Sequence, residues 1–225
     1  MKKALIYDPY LDTMGGGERY SLTFASALKS AGYAATFAWP DRRTLSGATD
    51  RFNLVADFDC DALAYDIFVR GSLFSKWNLT RRYDLVFFMS DGSFPFLFGK
   101  RNLVHFQVPF TKVGGDPSVN LIKGFLIHKL VFNSEFTANV IKRQLPFCPS
   151  VILYPPIDTD NFKPGKKENL ILSVARFDSP SHAKRQDVLI DAFKKLRKKN
   201  KDYKLILTGG LKGGEEYLAS LKTRA

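Results

Sequence analysis

Short apolar runs, each closed by a polar residue, glycine or proline, alternate along this chain with stretches of helical periodicity. The apolar runs cover residues 3–7, 34–39, 83–89, 103–107, 129–133 and 150–154. Between the first two, Gly15-Gly16-Gly17 precedes residues 18–29, where Leu22, Ala25 and Leu28 recur at helical spacing, and Ala31-Gly32 stops the helix. Strand, glycine turn, helix and strand make one βαβ unit. Residues 119–127 read as helical, and Ser134 is placed to cap a helix over 135–144. Residues 52–64 are less regular, their short apolar runs being interrupted by acids. Pro155-Pro156 ends the last of these strands. Residues 157–168, rich in Asp, Lys, Pro and Gly, read as a linker, and a new series follows: a strand at 170–175, a helix at 186–199 and a strand at 203–208. The expected class is α/β, with two Rossmann-like, doubly wound domains whose functional groups sit at the carboxyl ends of the strands. The expected organisation is a first domain over 1–156, a linker over 157–168 and the beginning of a second domain over 169–225.

Several function classes fall away on composition. The 225 residues are 45% hydrophobic and 25% charged, without a low-complexity tract, so the chain is globular rather than disordered. No stretch is apolar enough for a membrane span. Asp8 interrupts the first apolar run, which therefore reads as a strand of a cytoplasmic protein and not as a signal peptide. Cys60 and Cys148 lie far apart and form no paired motif, in keeping with a reducing compartment. The formal charge is +12, and residues 184–225 carry twelve Lys/Arg against five Asp/Glu. Such a field attracts phosphorylated substrates, anionic headgroups or nucleic acid, but no nucleic-acid-binding module is recognisable, and nucleic acid is not an expected partner.

Three groups of residues are candidates for chemistry. Gly15, Gly16 and Gly17, with Glu18 and Arg19, open the first helix; glycines let a ligand approach the backbone, and the helix start offers free N–H groups to an anion. The pattern is not the dinucleotide fingerprint, although Asp41 lies at a suggestive distance. His105, with Gln107 and Pro109 close behind, ends a strand where a hydrogen-bond donor or general acid–base would serve; His128 and His182 are weaker candidates. Arg176, at the end of the strand over 170–175, and Lys184, just before the helix over 186–199, are placed to hold a diphosphate, the first through a planar fork and the second as a point charge. Asp57, Asp59 and Asp61 form Asp-x-Asp pairs that could hold a metal, but nothing nearby supplies further ligands, so no metal is expected.

Taken together these residues resemble the family 4 retaining glycosyltransferases, of the group 1 class and the GT-B fold. The resemblance rests on Gly15-Gly16-Gly17-Glu18-Arg19, Phe132-Asn133-Ser134, Tyr154-Pro155-Pro156-Ile157-Asp158, Leu172-Ser173-Val174-Ala175-Arg176-Phe177, the run from Asp187 to Phe193, and Leu205-Ile206-Leu207-Thr208-Gly209-Gly210, all in the family's order. It implies an acceptor-binding first domain and a nucleotide-sugar-binding second domain, with transfer in the cleft between them and no metal or other cofactor. Arg176 and Lys184 match the family's grip on the donor diphosphate. Gly209 and Gly210 match the turn beside the nucleotide, and Gly15 to Glu18 match a loop facing the cleft. Ala175 and Arg185 stand where the family often has glycine, and the family's cleft histidine falls on His105 or, by the Pro109 register, on Gln107.

The resemblance is strongest to mannosyltransferases that extend lipid-linked oligosaccharides. The resulting expectation is a cytoplasmic enzyme that moves a mannosyl or glucosyl group from a GDP- or UDP-sugar to a lipid-linked or cell-surface glycan, in peripheral contact with a membrane. Residues 94–98, an aromatic run, and the basic surface suit that contact. His105, Arg176 and Lys184 are the expected catalytic groups. The family's downstream acidic element is absent, so the second domain is expected to be incomplete and this chain alone inactive. The rival expectation is a non-catalytic nucleotide- or carbohydrate-binding protein.

Overall fold

The computed structural model describes residues 1–178, 184–211 and 213–225. Its chain divides into two compact units, Met1–Ile157 and Asp158–Ala225.

The first unit is built on a seven-stranded, wholly parallel sheet. Its strands are β1 (Lys2–Tyr7), β2 (Tyr33–Ala38), β3 (Asp59–Cys60), β4 (Leu85–Met89), β5 (Asn102–Phe106), β6 (Lys129–Phe132) and β7 (Ser150–Ile152), in the spatial order β3-β2-β1-β4-β5-β6-β7. The helices are α1 (Gly16–Ser30), α2 (Arg42–Arg51), α3 (Ala62–Arg70), α4 (Leu73–Thr80), α5 (Pro117–Gly124) and α6 (Glu135–Lys142). Strand order reverses between β1 and β4, which pair from Ala4↔Leu85 to Tyr7↔Phe88. In a doubly wound sheet this is where a crevice opens beyond the strand ends.

Both faces of the central strands are buried, as a parallel sheet requires. Leu5, Val86, Phe88, Val104, Phe106 and Phe132 pack on one side with Phe68 of α3 and Ile141 of α6. Ala4, Ile6, Phe87, Met89 and Val131 pack on the other with Leu22 and Ala25 of α1 and Leu45 of α2. Each fully buried phenylalanine contributes roughly 1.5–3 kcal/mol. The large ones, Phe37, Phe87, Phe106 and Phe132, all lie on strands.

Three helices have no counterpart in the apolar pattern. In α2 only Leu45, Ala48 and Thr49 are buried, so its amphipathic stripe is too narrow to stand out. Its real signal is Asp41, whose carboxylate accepts the Arg43 and Thr44 N–H groups. Asp61 caps α3 in the same way through the Ala64 N–H, and Ser72 caps α4 through the Ser75 N–H.

The second unit contains β8 (Leu170–Val174), α7 (Gln186–Lys199), β9 (Lys204–Thr208) and α8 (Glu215–Arg224). β8 and β9 are parallel and in register from Leu170↔Lys204 to Val174↔Thr208. Leu205 and Leu207 face the helices, packing with Ile190, Tyr217 and Leu221. On the opposite face Leu170, Leu172, Val174 and Ile206 are exposed. No helix among the described residues is long and apolar enough to cross a membrane.

Candidate functional site

In the first unit the strand-end loop after β1 is held by two carboxylates. Asp8 is buried directly after β1; its Oδ2 accepts the Ser21 hydroxyl of α1 at 2.6 Å and its Oδ1 the Tyr10 N–H at 3.1 Å. Burial pushes this acid up to about 6, against the pull of the Ser21 hydrogen bond. Glu18 is also buried and turns back on the loop, where its Oε2 accepts the Gly15 N–H and the Thr13 hydroxyl. This is the carboxylate half of a capping box.

The three glycines do different things. Gly15 is the N-cap of α1, and Gly16 and Gly17 are its first two residues. None has a positive φ, so left-handed backbone is not what selects them. A Cβ on Gly17 would stand 2.4 Å from the Gln107 Oε1, whereas one on Gly16 would meet nothing within 4 Å. Gly17 therefore makes room for the Gln107 amide, and Gly16 leaves an exposed helix start whose N–H groups have no acceptor within the helix. Gln107 is half-buried just past β5, and its carbonyl accepts the Asn133 side-chain N–H at 2.9 Å.

His105 lies beneath this loop. It is fully buried, with its ring stacked on Tyr20 at 4.2 Å and near Phe87 at 5.7 Å. Its Nδ1 faces the Val131 carbonyl at 3.1 Å, while Nε2 is buried without a hydrogen-bond partner. Burial lowers its pKa to about 4, so the ring is neutral near pH 7. The Tyr20 hydroxyl donates to the Leu153 carbonyl, tying α1 to the segment after β7.

In the second unit Arg176 is exposed just past β8. The segment from Ala175 to Phe177 runs beside the turn after β9: the Ala175 N–H donates to the Thr208 carbonyl and the Phe177 N–H to the Gly210 carbonyl. A Cβ on Gly209 would come within 2.0 Å of the Ala175 carbonyl oxygen, so only glycine permits this approach; Gly210 is exposed with open space around it. Buried Gln186, at the start of α7, donates to the Arg176 carbonyl at 3.0 Å and accepts from the Tyr217 hydroxyl at 3.2 Å. Lys184, two residues earlier, is exposed. No ion pair among the described residues takes up Arg176 or Lys184. The fold thus gathers Arg176, Gly209 and Gly210 at one end of β8–β9 and brings the entry to α7 to the same place.

The other candidates have plainer surroundings. Asp41 caps α2, Asp57 pairs with Arg42 at 3.0 Å, and Asp61 caps α3. Among the described residues no three His, Cys, Asp or Glu side chains cluster as a metal site. His128 Nδ1 accepts the Asn102 N–H, and His182 lies outside the described residues. Phe94 and Leu97 of the aromatic run are core residues. The sequence pattern gives Asp8, Ser21 and Gln186 no part in the site; an acid directly after the first strand is the available signal for the first two.

No curated protein matches this chain. Residues 156–225, the stretch bearing Arg176, Lys184, Gly209 and Gly210, match the family model of the group 1 glycosyl transferases.

Proposed function

We propose that this protein takes part in retaining transfer of a hexosyl group, mannosyl or glucosyl, from a GDP- or UDP-sugar to a lipid-linked or cell-surface glycan. The second unit binds the donor in this reading, and the first the acceptor. One observation carries it: an exposed Arg176 beside a backbone turn that excludes a Cβ, followed by an exposed Lys184 at the entry to α7. A departing nucleoside diphosphate gathers negative charge as the glycosidic bond breaks. An arginine fork and a lysine, neither of them in an ion pair among the described residues, are suited to stabilise it. Gly210 leaves the backbone open to a flat nucleotide.

In this scheme the first unit presents the start of α1 and the Gln107 amide. His105 acts as a positioning residue: neutral and buried, it supports Tyr20 and through it the helix that carries Gly16 and Gly17. The family match supports glycosyl transfer, while the sugar, the stereochemical course and the acceptor are this proposal's own.

Calorimetric titration of the intact protein with GDP and UDP tests the donor side. At least one should bind, and Arg176→Ala and Lys184→Ala should each weaken it about tenfold or more, the loss expected when a charge-assisted contact is removed. Unchanged affinity in both variants would sink the assignment. Sugar-nucleotide turnover over a panel of acceptors then separates a transferase from a protein that only binds.

A further inference from the structure

A cavity of about 490 Å³ opens in the first unit beside the carboxyl ends of β1 and β4, with Tyr7 and Phe88 in its lining. This is the point where strand order reverses, and nothing in the donor-side argument uses it. Its floor is aromatic and buried: Phe68, Phe88 and Phe94. Its rim comes from Leu73 and Lys76 of α4 and from Val119 and Lys123 of α5.

The two lysines are the informative residues. Both are half-buried, and no ion pair among the described residues includes either. Lys123 Nζ has the Asn120 Oδ1 at 3.2 Å and the face of Phe96 at 5.3 Å, neither of which neutralises it. Burial, and then the charge of Lys76, hold Lys123 below the usual lysine range. Asp91 also lines the cavity, but its Oδ1 accepts the Ser93 N–H at 3.0 Å and its charge bears on Tyr7 and Tyr10 at the strand end. Two like charges on one aromatic cavity, neither of them in an ion pair with Asp91, favour an anion there.

The surroundings say what kind of anion. Past the rim, Phe74 and Trp77 of α4 stand exposed with their rings 5.6 Å apart, and the Arg81 guanidinium covers Trp77 at 4.2 Å. Ile122 of α5 is exposed as well. Tryptophan and exposed aliphatic side chains with cations among them match the polar–apolar boundary of a lipid layer. A small soluble anion would leave these apolar groups without a role.

We propose that this cavity holds the phosphate headgroup of an anionic lipid, with Lys76 and Lys123 on the phosphate and hydrocarbon lying over Leu73, Val119, Phe74 and Trp77. That this lipid carries the glycan acceptor rests on the transfer reading above; lipid binding does not.

The test is co-sedimentation of the intact protein with phosphatidylcholine vesicles, with and without phosphatidic acid. Binding should require phosphatidic acid and shift the Trp77 emission to the blue, with Trp39 buried and constant. Lys76→Gln and Lys123→Gln should each weaken binding about fivefold, the equivalent of ~1 kcal/mol per cation at an anionic surface. Lys198→Gln and Lys199→Gln, equally basic positions on α7, should change it little. An equal loss in the α7 variants would mean diffuse attraction of a basic chain and would overturn the cavity assignment. So would the absence of vesicle binding, or glycerol phosphate binding as tightly as the lipid. Thermal melts establish that each variant is folded, and Lys76→Gln alone suffices should Lys123→Gln not fold. GDP and UDP titrations of the same variants keep the two readings apart: loss of vesicle binding with nucleotide binding intact fails only the lipid site.

Discussion

The ring of Tyr20 lies almost parallel to the imidazole of His105, with centroids 4.2 Å apart and planes inclined by 12°. Above them the same helix carries the glycine start and, at Ser21, a hydrogen bond to buried Asp8. One helix thus rests on two titratable groups whose environments act on stability in opposite directions.

The first prediction follows from those directions. His105 has its pKa lowered from 6.5 to about 4, so its contribution is present above 6.5 and lost as pH falls through about 4. Asp8 has its pKa raised from 3.8 to about 6, so its contribution is present below 3.8 and lost as pH rises through about 6. Between about 4 and 6 the unfolded chain holds the extra proton at His105 and the folded chain holds it at Asp8, and the two slopes oppose each other, at most ~1.4 kcal/mol per pH unit each. The melting temperature of Asp8→Asn should therefore fall more steeply with acid than that of the wild type, and that of His105→Phe less steeply. Parallel curves for all three proteins would refute the assignment.

A second prediction concerns Gly17 and Gln107. Gly17→Ala places a methyl 2.4 Å from the Gln107 amide oxygen and should destabilise by about 1–2 kcal/mol, since a side chain can move aside more cheaply than backbone. With Gln107→Ala already in place, the same change should be neutral or stabilising, because alanine favours the helix over glycine. Urea titrations of the two single variants and the double variant give the coupling, and additivity would show that the two residues do not meet.

The central strands were legible because strands buried on both faces are unbroken apolar runs. That same continuity hides a polar member such as His105: with no alternation to mark a wet face, its position at a strand end reads as accessible when it is fully enclosed. The helices α2, α3 and α4 were missed for the opposite reason. Charged or short, they are defined by the caps Asp41, Asp61 and Ser72 more than by an apolar stripe. Arg176 was placed by its strand, but its tether to Gln186 joins residues ten apart through a side chain, and no local pattern announces that bond.

Gly209→Ala brings a methyl to 2.0 Å from the Ala175 carbonyl oxygen, a backbone atom without freedom to yield. A cost of about 3 kcal/mol is expected. Because the second unit has a small core of its own, hydrogen exchange should speed up across β8 and β9 while β1 and β4 keep their protection. Uniform loss of protection over both units would contradict it.

Arg185 has a left-handed backbone, with φ of +56°, directly before α7. A non-glycine residue there costs about 1–2 kcal/mol, partly offset by its exposed ion pair with Asp187 at 3.2 Å. Arg185→Gly should accordingly raise the melting temperature of the second unit by a few degrees, and a lowered one would show that the ion pair outweighs the strain.

The bare side of the β8–β9 sheet has a consequence for how the protein behaves in bulk. Leu170, Leu172, Val174 and Ile206 form an apolar surface that favours association, and a formal charge of +12 sets mutual repulsion against it. Salt weakens that repulsion and leaves the apolar attraction in place. Light scattering should record association that grows with added sodium chloride, whereas an association held by charge would weaken, and Leu172→Lys should abolish it.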